Sequence, residues 1–305
     1  MGLERLSDVE PGRFGIFLGS LAAQPATVER QVVSEAEQLG FGTVWYGESA
    51  GREAFAHGAI LLAATDRLVV ASGIANIWAR DPQAMAAGGR ALAEAWPGRF
   101  ILGLGVSHAP MVERRGHRYD HPVPAMRDYL DAMSRTEWRG PTAPLPPTVL
   151  AALGPRMVSL ARDRTAGDYT YFTTADHVRE VRGALGPEHF IAADLPVVFA
   201  DGRAIARKIG DRHTNLYLST ANYRNNLLRL GWSLDDLEPP GSDRLFDAIV
   251  AWGDDSSIRE KTDALFAAGA DQVVFNLITA EPTIPYQSEL RKLSVLTRDP
   301  AEKSL

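Results

Sequence analysis

The chain has 305 residues, a formal net charge of -6, 45% apolar and 23% charged residues, and no cysteine. This is ordinary for a water-soluble globular protein, and the acidic balance gives no support to nucleic-acid binding, which favours a basic patch. Disulfides and thiolate chemistry are excluded. The N-terminus, "MGLERLSDVEPGRFGIFLGS", lacks a basic segment followed by an apolar run of signal-peptide length. No stretch approaches the roughly 20 apolar residues of a membrane span, so a cytoplasmic location is the default.

In chain order, "RFGIFLGS" (13–20) reads as a strand and "PATVERQVVSEAEQLG" (25–40) as a helix, with Pro25 near its first turn and Gly40 at its end. A strand "GTVWYGES" (42–49) and a helix "EAFAHGAILLAAT" (53–65) follow. Next come a strand "RLVVASGIAN" (67–76) and a helix that starts after "DP" (82–96). The fourth strand is "RFILGLGVS" (99–107). An irregular stretch, 108–122, separates it from a helix near 123–137. Strands at 146–154, 167–175 and 189–200 alternate with helices at 156–164, 176–186 and 201–219. A segment of weaker periodicity, 220–255, precedes a helix at 256–268, a strand at 270–279 and a last helix near 285–297.

Eight strands, each followed by a helix, imply right-handed βαβ units and a parallel sheet. They fit a closed (β/α)8 TIM barrel with insertions after strands four and seven; a doubly wound open sheet is the competitor. Length alone suggests two domains, but barrels of this size form one, so residues 1–305 read as a single domain. The helices "AFAHGAILLAA" and "AMAAGGRALAEA" are rich in small residues. Such faces pack closely on the barrel or on another subunit, and a homodimer is expected.

In a parallel barrel the active site lies at the C-terminal ends of the strands. Gly103 and Gly105 sit on the fourth strand, where glycine marks either tight packing or the close approach of a ligand. They do not form a dinucleotide fingerprint, because His108 stands where the third glycine would be. Gly73 and Ile74, at the matching level of the third strand, read as a kink or a bulge. Gly154, Thr173 and Thr174 each stand at a strand-to-helix junction, either as phosphate-binding positions or as ordinary caps, with Asp176. No HxH or HExxH pair occurs among the seven histidines, so no protein-held metal is expected. His108, His117 and His121, with Glu113 and Asp120, either line a pocket or are solvated loop residues. No G-x-S-x-G supports a hydrolase.

The strand ends "VWYGES", "ASGIAN" and "LGLGVSHAP", with "ALGPRMVSLARDR" and "LFDAIVAWGDDSSIREKTDALFAAGADQVV", resemble the luciferase-like monooxygenase superfamily. They are most similar to its actinobacterial branch, associated with the deazaflavin coenzyme F-420. The resemblance spans roughly residues 12 to 297. It implies a (β/α)8 barrel that binds F-420 or FMN at its C-terminal mouth and transfers hydride to or from a small-molecule substrate. Gly73-Ile74 matches a pair joined in relatives by a non-proline cis peptide behind the central ring. Asn76 is then expected at the edge of the ring or at the substrate. Gly105, Ser107 and His108 match positions that touch the ring or its polyol chain, and Leu153, Gly154, Thr173 and Thr174 match the phosphate region. Several F-420 dehydrogenases carry an acid–histidine pair at the end of the second strand; here it reads Glu48-Ser49. Ser49 is kept as a cofactor-side position. The proton-exchange candidates are Glu48 and His108, with an ion pair that orients a loop as the other reading of Glu48.

The resemblance leaves two alternatives beside F-420: an FMN-dependent monooxygenase that uses O2, and a non-catalytic flavin- or ligand-binding barrel. Substrate determinants are expected in 108–122 and 220–255, at Arg114, Arg115, Tyr119, Tyr223, Arg224 and Trp232. Gly73→Val is expected to harm cofactor binding more than folding.

Overall fold

Apolar runs bounded by turn residues become parallel strands, and the amphipathic segments between them become the covering helices. A computed structural model of the chain describes residues 6–281 and 287–297. The first elements are β1 (Phe14–Phe17), α1 (Ala26–Gln38), β2 (Thr43–Tyr46), α2 (Ala54–Leu62), β3 (Val69–Ser72), β4 (Ala75–Asn76), α3 (Pro82–Ala95) and β5 (Phe100–Gly105). After an insertion with α4 (Ala109–Arg114) come α5 (Pro122–Ser134), β6 (Thr148–Leu150), α6 (Pro155–Arg164), β7 (Gly167–Thr170), α7 (Ala175–Leu185) and β8 (Phe190–Phe199). Helices α8 (Arg203–Leu218), α9 (Ala221–Arg229) and α10 (Asp243–Ile249), strand β9 (Ala251–Gly253), helix α11 (Asp255–Ala267), strand β10 (Gln272–Leu277) and helix α12 (Gln287–Thr297) complete the chain. The first residues expected of the last helix, and the ends of the 1–305 domain, lie outside the described residues.

The strands close in the order β1-β2-β3-β5-β6-β7-β8-β10, and β10 pairs again with β1. Every pairing is parallel, as in Phe14↔Val273 and Val70↔Phe100. This is the expected (β/α)8 barrel; an open sheet is ruled out by the β10–β1 and β10–β8 pairings. Alternation along each strand sends Trp45, Ala71, Ile101, Val149, Tyr169, Ala192 and Val274 into the barrel. Their neighbours Val44, Val70, Phe100, Leu102 and Val273 face the helices. The insertions follow β5 and β8, as expected. They contain elements the periodicity did not show: α4, and a short β9 that pairs only with the end of β8, at Val197 to Phe199.

The expected third strand is split. Between β3 and β4 the peptide bond joining Gly73 and Ile74 is cis. Ser72 explains why a polar residue stands there. Its hydroxyl accepts from Gly103 N at 3.0 Å and donates to Gly103 O at 2.9 Å, replacing the ladder where the strand departs. The small residues of α2 and α3 serve contacts within the chain: a Cβ on Gly88 would lie 2.4 Å from the Phe55 ring, and one on Gly58 would lie 2.7 Å from the Tyr46 hydroxyl.

His177 on α7 is fully buried, with Nδ1 3.4 Å from Asn226 Nδ2. Burial pushes its imidazole down to about 4; Arg229 adds to the shift and Glu180 opposes it. The unfolded imidazole titrates near 6.5, so the native chain binds fewer protons between these values. The stability contributed by neutral His177 is complete above 6.5 and is lost as the pH falls towards 4. Urea unfolding at pH 7.5 and pH 5 should show that His177→Gln narrows the difference between the two by about 1–2 kcal/mol.

Candidate active site

A cavity of about 380 Å³ opens at the C-terminal ends of β5, β6 and β7. Its walls come from Ile74, from Gly105 to His108, from Ala151 to Met157, and from Tyr169 and Tyr171. The insertion after β5 adds Tyr119, the start of α5 adds Pro122 and Val123, and the insertion after β8 adds Asn222 and Tyr223. The wall is thus largely apolar and aromatic, and Arg156 is its one residue of fixed charge.

Six of the expected site residues meet there: Ile74, Gly105, Ser107, His108, Leu153 and Gly154. Gly105 lets the chain pass Ile74 closely, since a Cβ would lie 2.6 Å from Ile74 Cγ1. Ser107 adopts a left-handed backbone, φ 57°, where the strand turns into α4. Such conformations persist where the surroundings enforce them. His108 Nδ1 lies 3.2 Å from Asn222 Oδ1, which ties the two insertions together across the cavity. Burial pushes the His108 imidazole below its usual value, against the pull of the Asn222 hydrogen bond, and keeps it neutral at neutral pH. His117 and His121, like Glu113 and Asp120, are exposed and stand outside the cavity wall.

The other expected residues stand apart from the cavity. Glu48 is engaged on both oxygens. Arg80 forks onto its carboxylate, with Nη1 3.0 Å from Oε2 and Nη2 against Oε1. The same oxygens accept from Ala54 N at 3.1 Å and Asn76 N at 2.8 Å. This is the ion-pair arrangement, and it leaves the carboxylate turned away from the cavity. Asn76 is 1% exposed; its Oδ1 accepts from Trp78 N, so its side chain closes the turn after β4. Ser49 is exposed, and its carbonyl accepts from Arg115 Nη2. Gly73 lies beneath the wall, against the stacked rings of Trp45 and Tyr169. Thr173 and Thr174 are buried outside the cavity wall. Thr174 takes the N-cap position of α7 but makes no side-chain cap bond, and Asp176 pairs with Arg179 instead. Of the expected substrate determinants, Tyr119 and Tyr223 line the cavity, whereas Arg224 donates to Leu237 O and Trp232 lies under Arg244.

At the start of α6, Pro155 has no N–H and Met157 N donates to Gly154 O at 3.0 Å, which leaves the Arg156 N–H as the first-turn donor without a helical partner. A Cβ added to Gly154 would meet nothing within 4 Å, so open space lies against this helix end, with Arg156 beside it. Neutral aromatic walls with one cationic edge at a helix N-terminus fit a planar ring that carries an anionic tail.

Sequence reasoning missed Tyr169, Tyr171 and Asp194 in the barrel interior. Tyr169 Oη lies 3.4 Å from Asp194 Oδ1. Asn276 Nδ2 lies 3.0 Å from Tyr171 Oη and 3.4 Å from Asp194 Oδ2. The available signal was an acid in the middle of the apolar run "FIAADLPVVF". Arg80 was missed as well; nothing local marks it as the partner of a residue 32 positions earlier.

The sequence model of the family described as luciferase-like monooxygenase matches residues 11–272. A Mycobacterium tuberculosis relative named "putative coenzyme F-420-dependent oxidoreductase" is 27% identical over 334 aligned positions, covering 88% of this chain and 96% of the relative. The F-420-dependent tetrahydromethanopterin reductase of Methanopyrus kandleri superposes with a TM-score of 0.76 at 16% identity, over 93% of this chain and 98% of its own. The FMN-bound oxygenating constituent of 3,6-diketocamphane monooxygenase, from Pseudomonas putida, gives a TM-score of 0.68 at 15% identity, over 96% and 98%. At these identities the structural likeness shows the shared barrel and nothing finer.

Proposed function

The chain belongs to the luciferase-like monooxygenase family and is an oxidoreductase, and from that premise we propose that it binds coenzyme F-420 in the cavity at the barrel mouth and transfers hydride to or from a small organic substrate. The observation that carries this reading is the cavity wall, aromatic and neutral except at Arg156 and the open N-terminus of α6. The name of the Mycobacterium relative favours F-420 over FMN. The bound coenzyme would supply the hydride chemistry, and the protein supplies position and electrostatics.

In this reading Ile74 and Gly105 form the surface against which the ring lies. The anionic tail is held beside Leu153, Gly154 and Arg156, where the guanidinium and the first-turn N–H of Arg156 lie at the start of α6. His108, neutral and with its Nδ1–H held by Asn222 Oδ1, presents the Nε2 lone pair, which accepts from a substrate hydroxyl and orients it. Glu48 is a positioning residue, holding the start of α2 and the backbone of Asn76. Tyr119, Val123 and Tyr223 exclude water and select an uncharged substrate. Titration of the purified protein with F-420 and with FMN, followed by fluorescence quenching, tests the reading. Saturable quenching of F-420, with much weaker binding of FMN, is expected. Preference for FMN, with O2 consumption by the reduced complex, would establish the monooxygenase alternative. Binding of neither would remove the cavity from redox chemistry.

A further inference from the structure

Asp194 sits inside the barrel, on the same face of β8 as Ala192, and is 2% exposed. Its nearest polar neighbours are neutral: Tyr169 Oη at 3.4 Å from Oδ1, and Asn276 Nδ2 at 3.4 Å from Oδ2. Tyr171 and Tyr217 continue the network, with hydroxyl oxygens 2.8 Å apart, and Tyr223 and His213 pack on the same rings. Among the described residues no arginine, lysine or histidine pairs with Asp194. A carboxylate held without a cation in such a place is costly, and the group escapes that cost by keeping its proton. Burial accordingly pushes the Asp194 carboxyl well above its usual range.

Tyr169 connects this acid to the cavity. It belongs to the cavity wall, and its ring is fixed by stacking on Trp45, with centroids 4.4 Å apart and planes 9° apart. We propose that Tyr169 is the proton donor to the substrate bound in the cavity, and that Asp194 is the positioning residue behind it, a buried neutral acid that restores the Tyr169 proton. The inference rests on the redox reading of the cavity. In a carbonyl reduction, the carbon accepts a hydride equivalent from reduced F-420, which is oxidised by two electrons. The carbonyl oxygen gains the Tyr169 proton and the product is the alcohol. The Tyr169 oxygen then takes the Asp194 proton. Asp194 regains one from solvent through the Tyr171–Tyr217 side, where Tyr217 is partly exposed.

Infrared difference spectroscopy of the cofactor-free protein at pH 8, with Asp194→Asn as the blank, reads the stored proton directly. A protonated-carboxyl stretch that shifts in D2O and vanishes in Asp194→Asn is expected; Asp168, a second buried acid, cancels because both proteins carry it. F-420 added as the probe should move this band in the wild type but not in Tyr169→Phe, which keeps the ring on Trp45 and removes only the hydroxyl. With any ketone that the wild type reduces, Tyr169→Phe should retain F-420 binding and lose about 10²–10⁴-fold in kcat. If no carboxyl band is lost in Asp194→Asn, or if bound F-420 leaves the band unmoved, the proposal is overturned. Failure of the wild type to bind F-420 or FMN strikes the cavity reading instead, while the infrared band still decides the state of Asp194. Should Asp194→Asn misfold, a change in the frequency of the D2O-sensitive band between the wild type and Tyr169→Phe, which removes one hydrogen-bond partner of the Asp194 carboxyl, serves as the second measurement, and an unchanged frequency overturns the proposal.

Discussion

Arg80→Leu should lower the unfolding free energy by about 3–5 kcal/mol, the loss associated with stripping one partner from a buried ion pair. The Glu48 side chain is 4% exposed and that of Arg80 9%, and the guanidinium meets both Glu48 oxygens while Nη2 also reaches Glu53 at 2.8 Å. Leucine fills most of the space and leaves a carboxylate without its cation, with the Glu53 carboxylate nearby. That carboxylate also fixes Ala54 N and Asn76 N, so the damage spreads to the start of α2 and to β4. Urea unfolding followed by circular dichroism measures the loss. Adding Glu48→Gln in the Arg80→Leu background removes the stranded charge, so the double variant should be more stable than Arg80→Leu alone. Simple addition of two losses would show that the pair is not coupled, and the account given of Glu48 would fall.

The alternation of strands and helices was readable because each barrel strand is a short apolar run and each helix an amphipathic one. Local pattern carries that information. The break in the third strand was readable from Gly73, yet the meaning of Ser72 was not. Its hydroxyl serves Gly103, on a strand that the sequence alone cannot register against it. The same limit hid Arg80 behind Glu48 and separated Thr173 and Thr174 from the cavity. Residue type told that these groups sit near strand ends, but a one-residue change of facing decides whether a side chain meets the cavity or the helices. Asp194 and Tyr169 illustrate the converse: both are interior by alternation, and only the three-dimensional meeting of β7, β8 and β10 shows that their neighbours carry no charge. The insertions were least legible. Strand β9 is held by its pairing with β8 rather than by periodicity of its own.

Gly105→Ala should weaken F-420 binding by about 10–100-fold while leaving the midpoint of unfolding little changed, since overpacking of about 1–3 kcal/mol is felt chiefly when the cavity is filled. The new Cβ would lie 2.6 Å from Ile74 Cγ1 and 2.8 Å from Cδ1. The Ile74 side chain can yield, because open volume lies beside it, but yielding carries it into the place proposed for the ring. Gly73 behaves oppositely. A Cβ there would come within 2.9 Å of Tyr169 Cε1 and 3.2 Å of Trp45 Cε3, two rings locked by stacking on each other. Gly73→Val should therefore destabilise the fold itself, by 1–3 kcal/mol or more on the scale of about that size for forced insertions. This reverses the expectation from sequence that binding would suffer more than folding. Gly154→Ala supplies the control for the tail end of the cavity, where a Cβ meets nothing within 4 Å and folding should be unaffected. Thermal unfolding and F-420 quenching on the three variants separate the cases. If Gly105→Ala binds as the wild type does while Gly73→Val folds normally, the ring does not lie against Ile74 and the proposed surface is wrong.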